Sequence, residues 1–375
     1  MCPFCFAHFS RNDVKFRCTN AKCTLDEDEK QAEFQGITTP MNIVFEHGKR
    51  FLPHESVCPE CNKSTNKYVC PECHSELLPD VGQTDERIIA VIGGRSTGKS
   101  NYIATLVHRL RTAVSTTFNT GTIARGDMTS QRYNKSFRPL FDDKKVLPPT
   151  PAGDAETKIP MVYRVRFNEH RNRAATLVLF DTAGEDMRSL DSMSREAKYI
   201  TKSQGLIFLL DPLQIPAVRT LLPADVVRGA GVGTTPDEIV SHLVGLFEKD
   251  RTWRRGQKIK TPVAFTLSKI DALLNVDGII DPGSSLRHAG GHLGYLNKSD
   301  VEAVHAEIAA YLYGWMSDGA FEQLVNSYFE DYRFFGMSAL GRTPNPDGTL
   351  DSIEPLRVED PILWLFKKYG FIKGK

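Results

Sequence analysis

One stretch of the chain, residues 93 to 100, constrains the fold more than any other. It reads Gly-Gly-Arg-Ser-Thr-Gly-Lys-Ser and fits the pattern G-x-x-x-x-G-K-[ST] at every fixed position. The run from Ile88 to Ile92 just before it is apolar and branched, which predicts a buried strand. The residues after it are apolar at helical spacing, namely Tyr102, Ile103, Leu106, Val107 and Leu110. A strand, a glycine loop and a helix in this order indicate a phosphate-binding loop rather than a glycine-rich turn that matches by chance.

The glycines and the helix explain why such a loop binds phosphate. Gly93 and Gly98 let the backbone turn tightly with its N–H groups pointing inward, and the helix N-terminus adds a favourable dipole. We expect the Lys99 ammonium to reach the β- and γ-phosphates and the Ser100 hydroxyl to ligate Mg²⁺. The predicted nucleotide-binding residues of this loop are Gly93, Gly94, Arg95, Ser96, Thr97, Gly98, Lys99, Ser100 and Asn101.

The length and composition are those of an ordinary globular protein. The chain has 375 residues, which favours about two domains, with 41% hydrophobic and 25% charged residues. The formal net charge of +1 gives no argument for a nucleic-acid or membrane partner, and no apolar run approaches the roughly 20 residues of a spanning helix. The opening residues lack the apolar segment of a signal peptide. We therefore expect a cytoplasmic protein, where cysteines are metal ligands more often than disulfides.

All eight cysteines lie within the first 73 residues and form four close pairs. Three of the pairs read C-P-x-C, a spacing typical of zinc knuckles. The simplest assignment places one zinc on Cys2, Cys5, Cys18 and Cys23, and another on Cys58, Cys61, Cys70 and Cys73. An interleaved, cross-braced pairing and disulfide formation are the alternatives. Four thiolates leave no open coordination position, so these ions would be structural and would supply much of the folding free energy of the segment.

Residues around the cysteines carry further predictions. Asn62 and His74 follow knuckles where a positive φ is useful, whereas Phe6 is an unusual residue at the equivalent position. The acidic run from Asp26 to Glu29 is interpreted as a solvated loop. A turn-rich segment, Leu78 to Thr84, separates a module over residues 1–80 from a larger domain over residues 81–375.

A long polar stretch over residues 115–157 follows the phosphate-loop helix and is interpreted as one functional loop. In a nucleotide switch, a threonine in such a loop completes the Mg²⁺ shell and senses the γ-phosphate. Thr150 is the first candidate and Thr157 the second. The alternative is that either residue is an ordinary loop threonine.

Two strand predictions come next. Ile159 to Phe167 alternates between apolar and polar residues, and the apolar run from Ala175 to Phe180 leads into Asp181-Thr182-Ala183-Gly184-Glu185. Asp181, at the carboxyl end of a buried strand, is placed to hold Mg²⁺ through water, and Gly184 lets a backbone N–H approach the γ-phosphate. The predicted catalytic residues are therefore Lys99, Thr150, Asp181, Gly184 and Glu185, and the predicted magnesium ligands are Ser100, Thr150 and Asp181.

Two later segments are placed to recognise a base. A predicted strand over residues 262–267 leads into Ser268-Lys269-Ile270-Asp271. The Asp271 carboxylate can accept two hydrogen bonds from guanine N1 and N2, which adenine does not offer, and Lys269 would lay its stem along the base. The backbone of Ser338, Ala339 and Leu340 is placed to contact guanine O6. A further buried strand is predicted over residues 205–212, and helices over residues 236–249, 301–315 and 360–366.

Taken together, these motifs resemble a P-loop GTPase of the TRAFAC class, which contains the translation factors and Ras-like proteins. More narrowly, the chain resembles the second type of the bacterial double-GTPase family of conflict and antiviral defence systems. This resemblance rests on the N-terminal cysteine knuckles, the run from Ile88 to Ser100, and the closing residues Pro361 to Leu365. It implies an α/β fold, a three-layer sandwich around a mostly parallel sheet, with a small zinc-ribbon-like module at the N-terminus. It also implies GTP, Mg²⁺ and Zn²⁺ as cofactors, and a protein partner or GTPase-activating protein.

Two departures from the family pattern bear on activity. Ser268 stands where Asn or Thr is usual, which weakens the bracing of the loop. Glu185 stands where many relatives have a water-orienting Gln, so we expect hydrolysis to be slow without a partner. The main hypothesis is a GTP-hydrolysing switch; the alternatives are a zinc interaction module that binds GTP without turnover, and an ATP-using P-loop enzyme. Nucleic-acid binding by the cysteine module stays open.

Overall fold

The computed structural model of the chain describes residues 1–35, 40–83, 85–94, 96–148, 160–169, 173–179, 199–224, 226–227, 233–250, 256–316, 319–345 and 347–375. Six of the candidate site residues, Arg95, Thr150, Thr157, Asp181, Gly184 and Glu185, lie outside the described residues.

The N-terminal part consists of short elements around a small core. They are a 3-10 turn over Arg11–Asp13, β1 Lys15–Arg17, β2 Leu25–Glu27, α1 Glu29–Gln35, β3 Pro40–Asn42, β4 Val44–Phe45, β5 Ser56–Val57, β6 Ser64–Thr65 and β7 Tyr68–Val69. Strand β1 lies between β4 and β7 and pairs antiparallel with both. Phe16 at its centre is fully buried and packs against the rings of Phe45 and Tyr68. Because so few apolar side chains are buried here, the cysteines make up much of the core.

A seven-stranded sheet forms the centre of the rest of the chain. The described strands of this part of the chain, seven of which form the sheet, are β8 Asp85–Gly93, β9 Thr120–Arg125, β10 Met161–Phe167, β11 Arg173–Leu179, β12 Gly205–Leu210, β13 Val263–Leu267, β14 Tyr295–Leu296, β15 Tyr332–Gly336 and β16 Lys373–Gly374. Their order in the sheet is β15-β13-β12-β8-β11-β10-β9, and β14 and β16 form a separate parallel pair. The five strands from β15 to β11 are parallel, while β10 and β9 are antiparallel to their neighbours.

Helices cover both faces of this sheet. They are α2 Lys99–Arg111, α3 Ala113–Phe118, α4 Asp127–Arg132, a π-helical turn over Tyr133–Phe137, α5 Arg138–Asp142, α6 Pro216–Leu221, α7 Pro236–Lys249, α8 Asp271–Leu274, α9 Lys298–Trp315, α10 Ala320–Tyr328 and α11 Asp360–Lys368. One core joins the sheet to α7, α9 and α10, and a second core joins its other face to α2 and α11. The apolar strands are buried on both sides because parallel strands of this kind are covered by their crossover helices. The predicted three-layer α/β sandwich with a mostly parallel sheet is thus confirmed.

Helix α7 has the predicted bounds, and α9 and α11 contain the predicted helical runs. The alternation predicted around Arg164 and Arg166 is also confirmed, with Tyr163 and Val165 in one core. Arg164, however, is almost fully buried, and its guanidinium forms an ion pair with Asp80 at 2.9 Å.

The prediction of one long loop over residues 115–157 is wrong in its first part. Residues up to Asp142 form β9, α4, the π-helical turn and α5. Strand β9 shows little apolar alternation because it is an edge strand, held by backbone hydrogen bonds to β10. Tyr133, Phe137 and Leu140 are apolar at helical spacing, so that part of the helical signal was present in the sequence.

Candidate functional site: phosphate loop, base-recognition loops and cysteine clusters

The sheet brings the predicted site residues to one edge. Strands β8, β12, β13 and β15 run parallel, so their carboxyl ends lie on the same side of the sheet. The phosphate loop follows β8, Asp211 follows β12, Lys269 follows β13 and Ser338 follows β15. This is the edge at which open α/β sheets bind ligands.

The described residues of the phosphate loop include one glycine with a positive φ and one side-chain hydrogen bond within the loop. Gly98 caps α2 with a φ of +77°, in the left-handed region that favours glycine. Thr97 donates a hydrogen bond from its hydroxyl to the Gly94 carbonyl at 2.9 Å, which closes the turn. A Cβ at Gly94 would lie 2.6 Å from Cδ1 of Ile239 on α7, so a larger residue there would require that side chain to move.

Helix α2 begins directly after the phosphate loop, so its first residues lie at the carboxyl edge of the sheet. Lys99 is the first residue of α2 and is buried, and Ser100 follows it. Asn101 was predicted to bind nucleotide; its side-chain oxygen accepts a hydrogen bond from the Leu147 N–H at 3.4 Å. Asn101 therefore contacts the segment that leads toward Thr150.

The two loops that are predicted to recognise the base contact each other through their side chains. Ser338 donates a hydrogen bond from its hydroxyl to the Asp271 carboxylate at 2.6 Å, and both side chains are buried. The Ala339 carbonyl accepts a hydrogen bond from Thr105 on α2 at 3.3 Å. The phosphate-loop helix thereby braces the loop whose backbone is predicted to contact guanine O6.

A cavity of about 320 Å³ opens beside these loops. Its lining residues are Asp271, Leu274, Asn275, Ser338, Gly341, Glu354, Pro355 and Leu356. Burial raises the pKa of Asp271, while the hydrogen bond from Ser338 and the charge of Lys269 act in the opposite direction. A buried carboxylate that is already oriented by the hydrogen bond from Ser338 is suited to accept further hydrogen bonds from the N–H groups of a planar ring.

Ser268 was expected to weaken the bracing of its loop, but its side chain makes a hydrogen bond to a neighbouring strand. Its hydroxyl donates to the Leu210 carbonyl at the end of β12, at 3.1 Å. The shorter side chain therefore braces the neighbouring strand.

The cysteines form two compact clusters. In each cluster the four sulfur atoms lie within 4.8 Å of one another, with Cys2, Cys5, Cys70 and Cys73 in one and Cys18, Cys23, Cys58 and Cys61 in the other. The Sγ atoms of Cys2 and Cys73 are 3.8 Å apart, and those of Cys18 and Cys61 are 3.6 Å apart. Sulfurs about 2.3 Å from one tetrahedral zinc ion are about 3.8 Å from each other, so both clusters fit this ion.

The predicted pairing of the cysteines along the chain is wrong. The outer two pairs share one cluster and the inner two pairs share the other, an arrangement that is nested and not cross-braced. The reason is the antiparallel pairing of β1 with β7, which sets Lys15 opposite Val69. The pair that follows β7 therefore lies at the same end of these strands as the pair that precedes β1, and the pair that follows β1 lies with the pair that precedes β7.

The knuckle geometry agrees with the predictions made for individual residues. Phe6, Asn62 and His74 have φ values of 60°, 54° and 52°. Backbone N–H groups are directed at sulfur, as in the bond from Phe4 to the Cys2 Sγ at 3.4 Å. The acidic run is exposed as predicted except at Asp28, which forms ion pairs with Arg17 and His74.

Sequence reasoning missed two residues at this edge. Asp211 is buried and forms an ion pair with Lys269, and Thr105 holds the Ala339 carbonyl. The sequence signal for Asp211 was its position at the end of an apolar strand, the same signal that singled out Asp181.

A mostly parallel sheet whose strand β8 leads into helix α2 through a loop of the phosphate-binding pattern is the architecture of a P-loop GTPase-like domain. The chain belongs to the family described as Double-GTPase 2, whose sequence model matches residues 87–282.

A curated relative and two solved structures resemble the chain. The relative is "Putative ESX-1 scaffolding and assembly protein SaeC" from Mycolicibacterium smegmatis, 28% identical over 344 residues, which cover 85% of this chain and 81% of the relative. The GTPase-like domain of Ski7 from S. cerevisiae, bound to GTP, is 12% identical with a TM-score of 0.32; the match covers 68% of this chain and 43% of that one. The Arl6 BBS3 small GTPase from Trypanosoma brucei, bound to GppNp, is 12% identical with a TM-score of 0.32, over 76% of this chain and 96% of that one.

Within the described residues, no helix combines the length and the apolar character that a membrane span needs.

Proposed function

We propose that the chain is a GTP-binding switch that hydrolyses GTP in the presence of Mg²⁺. One observation carries the proposal: the phosphate loop and the loop of Lys269 and Asp271 lie beside each other at one edge of the sheet. The Cε carbon of Lys269 lies 3.8 Å from the position that a Cβ on Gly98 would occupy. A nucleotide spanning the two loops would therefore have its phosphates at α2 and its base at Asp271.

The phosphate end is formed by the loop and the first turn of α2. Backbone N–H groups from Gly93 to Gly98 would surround the phosphates, and the Lys99 ammonium would neutralise the β- and γ-phosphates. The Ser100 hydroxyl, with Thr150 and Asp181, would hold Mg²⁺, which offsets the charge that develops on the phosphates. Gly184 would donate its N–H to the γ-phosphate.

The base end selects guanine. The Asp271 carboxylate would accept from guanine N1 and N2, and the fixed bond from Ser338 would orient it. The backbone N–H groups of Ala339 and Leu340 would contact O6. Adenine has no matching donor pair at this edge, so binding ATP would leave a buried carboxylate without donors.

We infer that turnover is slow without a partner. A glutamate at position 185 can accept a hydrogen bond from water but cannot donate one to the γ-phosphate, and its charge is repelled there. A partner's arginine would supply the missing positive charge.

The two cysteine clusters would each hold one structural zinc ion. Their sulfur spacing supports this assignment, and four thiolates leave no position open for catalysis. The module would dock a protein partner or couple to the nucleotide site. The contact between Phe6 of the first knuckle and Tyr199, with ring centroids 5.8 Å apart, supports such coupling.

The partner is proposed to be a protein assembly. The similarity to a relative whose name refers to scaffolding and assembly supports this role. A role in defence or conflict systems rests on the family resemblance alone, as does a cytoplasmic location. Nucleic-acid binding by the cysteine module has no support from the net charge of +1.

Single-turnover hydrolysis of labelled GTP tests the proposal. Zinc-loaded protein is mixed with GTP or ATP in Mg²⁺, alone and with cell extract, beside the Lys99→Ala variant. We expect slow phosphate release from GTP that the extract accelerates and that Lys99→Ala abolishes. Binding of GTP without release in either condition would instead indicate a non-hydrolysing interaction module, and equal use of ATP would indicate an ATP-using enzyme.

A further inference from the structure

A buried carboxylate, Asp211, lies at the carboxyl end of β12 with 2% of its surface exposed. Its Oδ1 accepts a hydrogen bond from the Leu213 N–H at 3.0 Å. Its Oδ2 accepts one from the Lys269 ammonium at 2.9 Å and one from the Gln214 amide at 3.2 Å. One oxygen thus caps the turn over Pro212–Gln214, while the other faces the base-recognition loop.

Lys269 is constrained at both ends of its side chain. Its backbone has a φ of +54°, which a residue with a Cβ rarely adopts, so the start of the side chain is fixed by the loop. Its ammonium is fixed by Asp211. Between these points the stem passes beside the phosphate loop, with Cε 3.8 Å from the position that a Cβ on Gly98 would occupy.

The second donor to Asp211 continues the network. Gln214 is buried, and its side-chain oxygen accepts a hydrogen bond from the Gly233 N–H at 2.6 Å. Asp211 is therefore held in place independently of Lys269. A carboxylate that is already fixed can order a flexible lysine at little further entropic cost.

We propose that Asp211 is a positioning residue for guanine nucleotide binding, acting through Lys269. By holding the ammonium, Asp211 orders the lysine stem before nucleotide binds. The stem then offers a flat apolar surface against which the base packs. This role rests on the proposed function and deepens it. Because the stem contacts the base and not the γ-phosphate, GTP and GDP should depend on Asp211 equally.

The test is a set of four proteins: the wild type, Asp211→Asn, Lys269→Met, and the double variant. Asparagine keeps the size of the side chain and the bond to Leu213 but loses the charge, and methionine keeps the lysine stem but loses the ammonium. Affinities are measured for GTP, GDP and inorganic triphosphate, the last having no base. Asp331→Asn is the matched control, since Asp331 pairs with Lys368 at 2.6 Å beside the first residue of β15, at the opposite edge of the sheet.

We expect Asp211→Asn to weaken GTP and GDP by about tenfold, the order expected when one ordered long side chain is released. The affinity for triphosphate should stay unchanged. In the Lys269→Met background, Asp211→Asn should weaken GTP and GDP binding further by less than about twofold. The control should behave as the wild type.

Three results would overturn this role: an unchanged GTP affinity, an equal loss for triphosphate, or effects that are additive with Lys269→Met. The equal loss for triphosphate would mean that Asp211 only supports the fold around the phosphate loop. Failure of the wild type to bind any guanine nucleotide would overturn the proposed function itself, and this role with it.

Discussion

At the residue scale, the proposed choice of base depends on Asp271. Its carboxylate is buried, carries one bond from Ser338, and lines the cavity beside the base-recognition loops. Recognition of a base by a buried acceptor is selective because a base without donors leaves that acceptor unpaired. Both oxygens of the ionised carboxylate are hydrogen-bond acceptors, so replacing one of them with a donor should change which base fits.

Replacing Asp271 with Asn should transfer specificity from guanine to xanthine nucleotides. The amide presents a donor where the carboxylate presented an acceptor, and xanthine carries an oxygen where guanine carries its 2-amino group. We expect GTP affinity to fall by about 100-fold, the equivalent of two hydrogen bonds to a charged group, and XTP affinity to rise. Competition with a fluorescent nucleotide measures both. An Asp271→Asn variant that still prefers GTP would remove Asp271 from the recognition site.

The pH dependence of binding follows from the same residue. Burial raises the pKa of Asp271, so this carboxyl gains its proton at a higher pH than an exposed aspartate does. The protonated form cannot accept two hydrogen bonds from the base, so GDP affinity should fall as the pH is lowered toward that pKa. Titration of bound GDP from pH 7.5 to 5, with Asp271→Asn beside the wild type, separates this effect from protonation of the phosphates. A parallel loss in both proteins would assign the whole effect to the phosphates.

At the element scale, the strand that carries the phosphate loop is tied to its neighbour by a side chain. The Tyr199 hydroxyl accepts a hydrogen bond from the Val91 N–H of β8 at 2.8 Å and lies 2.7 Å from the Val178 carbonyl of β11. Tyr199 is fully buried, and it packs against Phe6 of the first cysteine knuckle. The contact therefore joins three elements just before the phosphate loop.

Removing this hydroxyl should lower stability, whereas removing another buried hydroxyl should not. Tyr199→Phe leaves a buried backbone N–H without its partner, which costs about 1–3 kcal/mol. Tyr102 is a matched control, because its hydroxyl is also buried but has no hydrogen-bond partner among the described residues. Tyr102→Phe should be neutral or stabilising by up to about 1 kcal/mol.

Denaturant unfolding of zinc-loaded protein measures both changes in the free energy of unfolding. Equal effects of the two substitutions would contradict the role of Tyr199 as a bridge between β8 and β11.

The elements also show what the sequence can predict. The phosphate loop could be found because its function depends on eight consecutive residues, and β12 and β13 because parallel strands are apolar throughout. Asp271 could be found by its place after such a strand. Strand β9 could not, since an edge strand is held by backbone bonds that leave little side-chain pattern. Asp211 and Thr105 were missed because their partners are distant in the chain.

At the scale of the whole molecule, the cysteine module and the GTPase-like domain share contacts. Phe6 belongs to the same core as α7, and the Asp80 carboxylate pairs with the buried Arg164 of β10. The nested cysteine pairing could not be read from the spacing of the pairs, because it is set by the register of β1 with β7. The sequence predicted the eight cysteines as metal ligands but not which pairs of cysteines share a cluster.

Zinc content of paired substitutions tests the nested arrangement. Cys2→Ser with Cys73→Ser alters a single cluster, so one zinc per chain should be retained. Cys2→Ser with Cys18→Ser alters both clusters, so both ions should be lost. Pairing along the chain predicts the reverse, and a cross-braced pairing predicts loss of both ions in each variant. Metal analysis of purified protein, beside a wild type with two zinc ions, distinguishes the three arrangements.

We propose that a guanine base and a triphosphate are bound together at the carboxyl edge of this sheet. Calorimetric titration of zinc-loaded wild-type protein with GTP and with ATP, both in Mg²⁺, is the decisive experiment. We expect one GTP per chain, bound about 100-fold more tightly than ATP, since ATP would leave the Asp271 carboxylate without donors. Equal affinities for the two nucleotides, or no heat with either, would contradict it.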